Sequence, residues 1–327
     1  MNPAARAPST LAVVGDLHGH LQLALSVLAR WQTELGVKFE AVFLCGDVGT
    51  FTRDEELDST TRSHGRSNPC ELEFLNQWSA RPPAPWLDYI FKSPGEEGLG
   101  LTCPVIMVHG NHEGFLHLES LVRPEFPRAP VEVNALPTVD TGGHIRLLPS
   151  GWAVALPSGV VAGGIGGIEE GQRFARYHRM AYLDEAAILH LCEEIKRVDL
   201  FLTHQGPASI QGAGGSPTLE RVLDAGVPRA WFHGHSLSDE DIHRAGPGER
   251  TLVVPLEDIA FPGRDPENDL PGAGGWAAVT VGDDVDVRRE PPPFLREFRR
   301  GRWTRTKGGL LVSPALAHLA WRFREWG

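Results

Sequence analysis

Five short apolar runs, each ending in a polar stretch that contains aspartate, asparagine or histidine, constrain this chain more than any other feature. Leu11 to Val14 stops at Gly15-Asp16, Val42 to Leu44 leads to Gly46-Asp47, and Val105 to Val108 leads to Gly110-Asn111. Leu200 to Leu202 is followed by Thr203-His204, and Ala230 to Phe232 by His233-Gly234-His235. Runs this short, bounded by turn residues, read as strands buried on both faces. Polar residues at their C-terminal ends stand where open α/β sheets place their ligands.

Helical patterns lie between the runs. Leu21, Leu25, Leu28, Gln32 and Leu35 share one face at a period of 3.6, and Ala187, Leu191, Glu194 and Ile195 partly repeat it. Strands alternating with helices predict an α/β fold. Val154 to Leu156 and Val160 to Ala162 flank Pro157-Ser158-Gly159 and read as a hairpin, so part of the sheet structure is expected to be antiparallel. Ala277 to Val281 and Val285 to Val287 read as a closing hairpin. Residues 51–100 carry Pro82, Pro83, Pro85 and Pro94, lack clear periodicity and are expected to form an insertion near the site.

With 327 residues and 41% hydrophobic content the chain can bury a sizeable core. A net charge of −11 excludes a general nucleic-acid coat protein, though local basic patches remain open. Cys45, Cys70, Cys103 and Cys192 lack metal-ligand spacing and are expected to be reduced and mostly packed. Met1 to Thr10 has no apolar core, and nothing later approaches the roughly 18 apolar residues of a membrane span, so no membrane partner is expected and the cytoplasm is the default compartment. From Phe294 to Gly327 eight Arg or Lys stand against two Glu. This basic tail, 294–327, is set apart from the domain at 1–293; it reads either as an amphipathic or disordered end packed through Trp321, Phe323 and Trp326 or as a phosphate or nucleic-acid contact.

Hard divalent cations take carboxylate, amide and imidazole donors, and a pair of them about 3.5–4 Å apart needs a ligand shared by both. The polar strand ends supply such donors five times, as Asp16-Leu17-His18, Asp47, Asn111-His112-Glu113, His204 and the 233–235 histidines. Hydroxide shared between two cations is then the natural nucleophile, and no side-chain nucleophile is required. Manganese, iron and zinc all suit these donors, and the absence of cysteine among them excludes only a soft thiolate site. Gly19 and Gly110 are expected to let backbone approach the centre, and Glu113 to orient a histidine.

In this order the motifs resemble those of the calcineurin-like metallophosphoesterases, D-x-H, G-D, G-N-H-[ED], H and G-H-x-H, over about Leu11 to Leu237. The resemblance implies a calcineurin-like sandwich of two mixed β-sheets flanked by helices. It implies that Asp16 and His18 bind a first metal, that Asp47 bridges, that Asn111 and His204 bind the second, and that His112 protonates the leaving alkoxide. The last motif fits in two registers. If His233 and His235 form the pair, both metal sites are complete. If Gly234-His235 opens the motif, His235 serves the second metal and Leu237 leaves the first one ligand short, with water in the gap. The second register is favoured because the strand should run to Phe232 and glycine suits a close approach; His233 is then a packed strand-end histidine or a support to ligands or substrate phosphate.

The second motif continues as Val48-Gly49-Thr50-Phe51-Thr52, without the arginine that follows it in protein serine/threonine phosphatases, which demotes that reading. Leu44-Cys45-Gly46-Asp47, Gly110-Asn111-His112-Glu113 with His117-Leu118, the Gly163-to-Ile168 stretch and Trp231-Phe232 are similar to the RNA lariat debranching enzymes and their bacterial relatives. Asp16 and Leu237 depart from that family, where cysteine and histidine are common. The glycines at 163–167 are read as a hairpin strand passing near the metals rather than a dinucleotide fingerprint. Arg173, Arg176 and His178 form either a phosphate or base-stacking clamp or a solvated loop face. The expected function is metal-dependent hydrolysis of a phosphodiester or phosphomonoester, with a nucleotide or RNA as candidate substrate. The alternatives are a protein serine/threonine or nucleotide phosphatase and a non-catalytic scaffold of the same fold.

Overall fold

Strand β1 (Ser9–Val14) divides the apolar interior in two, because alternate residues of a strand face opposite sides. Leu11 and Val13 enter one buried cluster, and Ala12 and Val14 another. β2 (Val42–Leu44) and β3 (Val105–Met107) repeat the division, with Phe43 and Ile106 on the first side and Leu44 and Met107 on the second. The computed structural model describes residues 7–81, 85–93, 98–171, 178–236, 241–262 and 269–300, with the backbone of 304–305 and 311–312. The basic tail beyond residue 300, Leu237, Arg173 and Arg176 therefore fall outside the described side chains.

The remaining principal strands are β4 (Val131–Glu132), β5 (Ile145–Leu147), β6 (Ala153–Ala155), β7 (Val161–Ile165), β8 (Val198–Thr203), β9 (Pro228–His233), β10 (His243–Ala245), β11 (Thr251–Pro255), β12 (Trp276–Val281) and β13 (Val285–Arg288). They form two mixed sheets, ordered β13-β12-β1-β2-β3-β5 and β10-β11-β9-β8-β7-β6-β4. β1, β2, β3 and β5 run parallel, as do β7, β8, β9 and β11. Both expected hairpins are present, with Val154 opposite Ala162 and Val279 opposite Val287. The fold class is thus the expected α/β sandwich of two mixed sheets flanked by helices. β11 is a strand that the sequence reading passes over.

The layer between the sheets holds Leu11, Phe43, Ile106, Leu202, Phe232 and Val254. Close approach there depends on Gly164 of β7, where a Cβ would stand 2.6 Å from Val108 Cγ1. Helix α1 (Leu21–Leu35) covers the outer face of the first sheet through Leu21, Leu25 and Leu28, and left-handed Gly36 (φ 63°) ends it. Segment 51–100 also packs there: helix α2 (Ser59–His64) leads to buried Phe74 and Trp78, and α3 (Pro85–Phe91) adds Leu87 and Ile90. On the second sheet, Phe201 and Trp231 meet Ile188 and Leu223 from the helical turns Glu185–His190 and Glu220–Asp224. No helix among the described residues is long and apolar enough to cross a membrane. All four cysteines are free, three of them buried.

Candidate metal centre

Asp16 and His18 follow β1, Asp47 follows β2, and Asn111 and His112 follow β3, whereas His204 and His235 follow β8 and β9 of the other sheet. The C-terminal ends of these parallel strands meet at one rim of the sandwich, where loop residues have backbone freedom that strand residues lack. That freedom is used heavily. His18 (φ 41°), Asp47 (φ 46°) and His235 (φ 50°) are three of the five non-glycine residues with left-handed backbone among those described. Such conformations cost on the order of 1–3 kcal/mol each and persist where surrounding bonds over-determine them. Here His18 N donates to Asp47 O at 2.7 Å, and His235 N donates to the Asp16 carboxylate at 3.0 Å.

Asp16, Asp47, His204 and His235 each offer a ligand atom within 4.8 Å of the others, a donor set that could hold a metal ion. His204 sits at the middle, fully buried, with Nε2 2.9 Å from Asn111 Oδ1 and 3.5 Å from Asp47 Oδ2. His18 stands to one side, its Nε2 3.8 Å from Asp47 Oδ2. Glycines make the crowding possible: a Cβ on Gly234 would lie 1.9 Å from Asp16 Oδ1, and one on Gly110 2.1 Å from Asp47 Oδ1. Gly19, by contrast, faces the Cys70 and Glu71 backbone, so its freedom (φ 81°) serves the packing of segment 51–100 and not an approach to the centre.

The electrostatics fit a cation. Burial would lower the His18 and His204 imidazoles, yet Asp258, Asp47 and Asp16 around the first, and Asp47 and Asp16 around the second, raise both to about 9. Burial would likewise raise the Asp47 carboxyl, but His204, His112 and His18 hold it well below the usual range. Left to themselves, the buried carboxylates therefore recruit protons onto imidazoles as positive partners; bound divalent metal would take that place and leave the imidazole nitrogens as donors.

His112 lies outside the four-residue cluster, its ring 5.6 Å from that of His18. Its N–H donates to Asp47 Oδ1 at 2.8 Å, and its Nδ1 meets Asp58 Oδ2 at 2.8 Å. Asp58 caps α2 by accepting from Thr60 N and Thr61 N, so the helix start fixes the carboxylate that orients the imidazole. Glu113 orients no histidine among the described residues. Its buried carboxylate instead accepts from Val48 N, Thr50 N and Thr50 Oγ1, tying the loop after β2 to the loop after β3. Asp58 has only a local sequence signal, an N-cap position ahead of Ser59-Thr60-Thr61, which marks a helix start and not a partner for His112.

His233 and His235 have different surroundings. The His233 ring is fully buried against Gly206, with Nδ1 3.0 Å from Gly234 O and no hydrogen-bond partner for Nε2 among the described residues. Burial pushes that imidazole down to about 4, so it is neutral. His178 stacks on Phe115 (centroids 5.7 Å apart, planes at 10°) and lines a cavity of about 480 Å³ beside Asn111, together with Arg53 and Asp58.

A model of the calcineurin-like phosphoesterases matches residues 9–239, a span that contains both sheets' site-bearing strands and every residue of the cluster. The chain belongs to this family. Two relatives of this calcineurin-like phosphoesterase are lariat debranching enzymes, from Drosophila melanogaster (23% identical) and Drosophila pseudoobscura pseudoobscura (22%). Each alignment covers 69% of this chain and 42% of the relative, so the chain spans less than half the length of the curated relatives it matches. The span matched to the family contains the rim whose aspartate and histidine donors could hold a metal ion.

Proposed function

We propose that the protein is a metal-dependent phosphodiesterase in which Asp16, His18 and Asp47 hold one divalent cation, Asp47, Asn111, His204 and His235 hold a second, and His112 donates a proton to the leaving alkoxide. Manganese, iron or zinc would suit the donors. Two cations bound there would supply an activated water and neutralise charge developing on the phosphoryl oxygens.

The observation that carries the reading is the setting of His112. Asp58 meets Nδ1 at 2.8 Å and so fixes the ring, and the side chain is 15% exposed and so within reach of a ligand in the rim. Burial would lower this imidazole, but Asp47 and Asp58 outweigh it and raise its pKa above the ordinary imidazole value. A positioned, protonated imidazole beside a phosphoryl site is what departure of a poor leaving group needs. Phe51 at the position of the phosphatase motif's arginine and the 480 Å³ cavity beside Asn111 favour a diester with a bulky second substituent over a small monoester. The debranching-enzyme relatives make nucleotide and RNA diesters the substrates to try first.

Hydrolysis of bis-p-nitrophenyl phosphate with added manganese tests this directly. Turnover is expected to exceed that of p-nitrophenyl phosphate, to vanish on chelation and to return with metal. Faster cleavage of the monoester would favour a phosphatase, and cleavage of neither would favour a non-catalytic scaffold.

The two histidines flanking Gly234 should separate cleanly in metal titrations. His235→Ala should lower metal content, while His233→Ala should keep both metals, since its ring is packed on Gly206 and turned to Gly234 O. Equal depletion in the two variants would restore the register in which both ligate.

A further inference from the structure

The loop after β11 enters the metal rim from a side that none of the five motifs supplies. Its backbone is pinned on three sides: Leu256 N donates to His233 O (2.8 Å), Ile259 N donates to Asp16 O (3.0 Å), and Gly272 N donates to Ile259 O (3.2 Å). There is no room for the loop to shift. A Cβ on Gly15 would lie 2.1 Å from Glu257 O, and one on Gly272 would lie 1.8 Å from Asp258 O. Asp258 is thereby held over the end of β1. Its Oδ1 accepts from Ala260 N at 2.6 Å, which directs Oδ2 to His18, whose Nε2 is 3.9 Å away.

His18 Nε2 thus stands between two carboxylates at nearly equal distances, 3.8 Å from Asp47 Oδ2 and 3.9 Å from Asp258 Oδ2. Neither separation is a hydrogen bond. Both are distances that two donors can take when each bonds the same cation at about 2.0–2.2 Å. Residue 237, at the place of the last histidine of the G-H-x-H motif when Gly234-His235 opens it, is leucine and supplies no donor.

We infer that Asp258 is a further ligand of the cation held by Asp16, His18 and Asp47, a carboxylate from the β11 loop completing that site. The inference rests on the proposed two-cation reading. A carboxylate at this position makes the site harder, favouring manganese or ferrous iron over zinc there.

Manganese content and affinity of the full chain, measured by elemental analysis and calorimetry, test it without recourse to activity. The wild type is expected to take up two ions. Asp258→Ala should retain one, with the affected site weakened by more than the roughly 10–100-fold that loss of a supporting contact to a ligand costs. Asp258 is half-exposed, so the fold should survive, and an unchanged thermal midpoint would establish that. A crystal structure of the manganese-loaded wild type should place an Asp258 oxygen at about 2.0–2.2 Å from the ion. Two ions of unchanged affinity in Asp258→Ala would overturn the inference alone, as would Asp258 lying beyond bonding distance in the loaded structure. A wild type that binds no manganese would instead defeat the two-cation reading, and this inference with it.

Discussion

Asp47→Asn is expected to strip metal from the protein and to reduce turnover by more than the roughly 10²–10³-fold that loss of one transition-state contact costs. The carboxylate faces His204 Nε2 at 3.5 Å and His18 Nε2 at 3.8 Å, and so is the group shared by the two halves of the rim. It is almost fully buried, and three imidazoles keep it ionised. An amide of the same shape would keep the hydrogen bond from His112 N, so the loops should stay in place while the charge proposed to bind both cations disappears. Metal analysis and diester hydrolysis on the same preparation decide the matter. Two metals per chain together with full activity would remove Asp47 from its shared role.

His112→Ala should leave metal content unchanged and discriminate between leaving groups. General acid catalysis is typically worth about 10²–10⁴-fold, and that loss should appear with alkyl or ribose esters, whose alkoxides need a proton. Nitrophenyl esters leave readily as anions and should lose far less. Equal losses on both classes would exclude proton donation by His112. The Asp58 contact supplies a second handle. Asp58 raises the His112 imidazole, so Asp58→Asn should lower its pKa and move the alkaline limb of the rate profile with ribose esters to lower pH. A profile that stays in place would separate Asp58 from the proton donor.

Much of the scaffold was legible because its signals are local. A three-residue apolar run such as Val42–Leu44 is too short for a helix, and the spacing of Leu21, Leu25 and Leu28 is set by the helical repeat whatever they pack against. The same logic applied to Thr251–Pro255, an apolar run followed by Glu257 and Asp258, would have found β11 and the acidic loop behind it. Segment 51–100 was opaque for a different reason. Its helical turns are short, and their apolar residues, Phe74, Trp78, Leu87 and Ile90, gain their positions from the first sheet and not from any periodicity of their own.

By itself the sequence determined the strand ends on which Asp16, Asp47, Asn111, His204 and His235 stand, the family those motifs belong to, and the two mixed sheets that carry them. The strand ends follow from residue type and spacing within a few positions of each other, and the two mixed sheets from the resemblance of those motifs to the family. Only the tertiary structure decided which side chains meet across the rim. Asp58 reaches His112 from 54 positions away, Glu113 ties two loops together rather than orienting a histidine, and Asp258 arrives beside His18 from another sheet. The difference between His233 and His235 is also three-dimensional: two residues apart in the chain, one is closed against Gly206 and the other turns by a left-handed backbone onto Asp16. Contacts of this kind depend on loop closure and on the close approach that Gly110 and Gly234 permit, and no local pattern encodes which distant partner will fill the space.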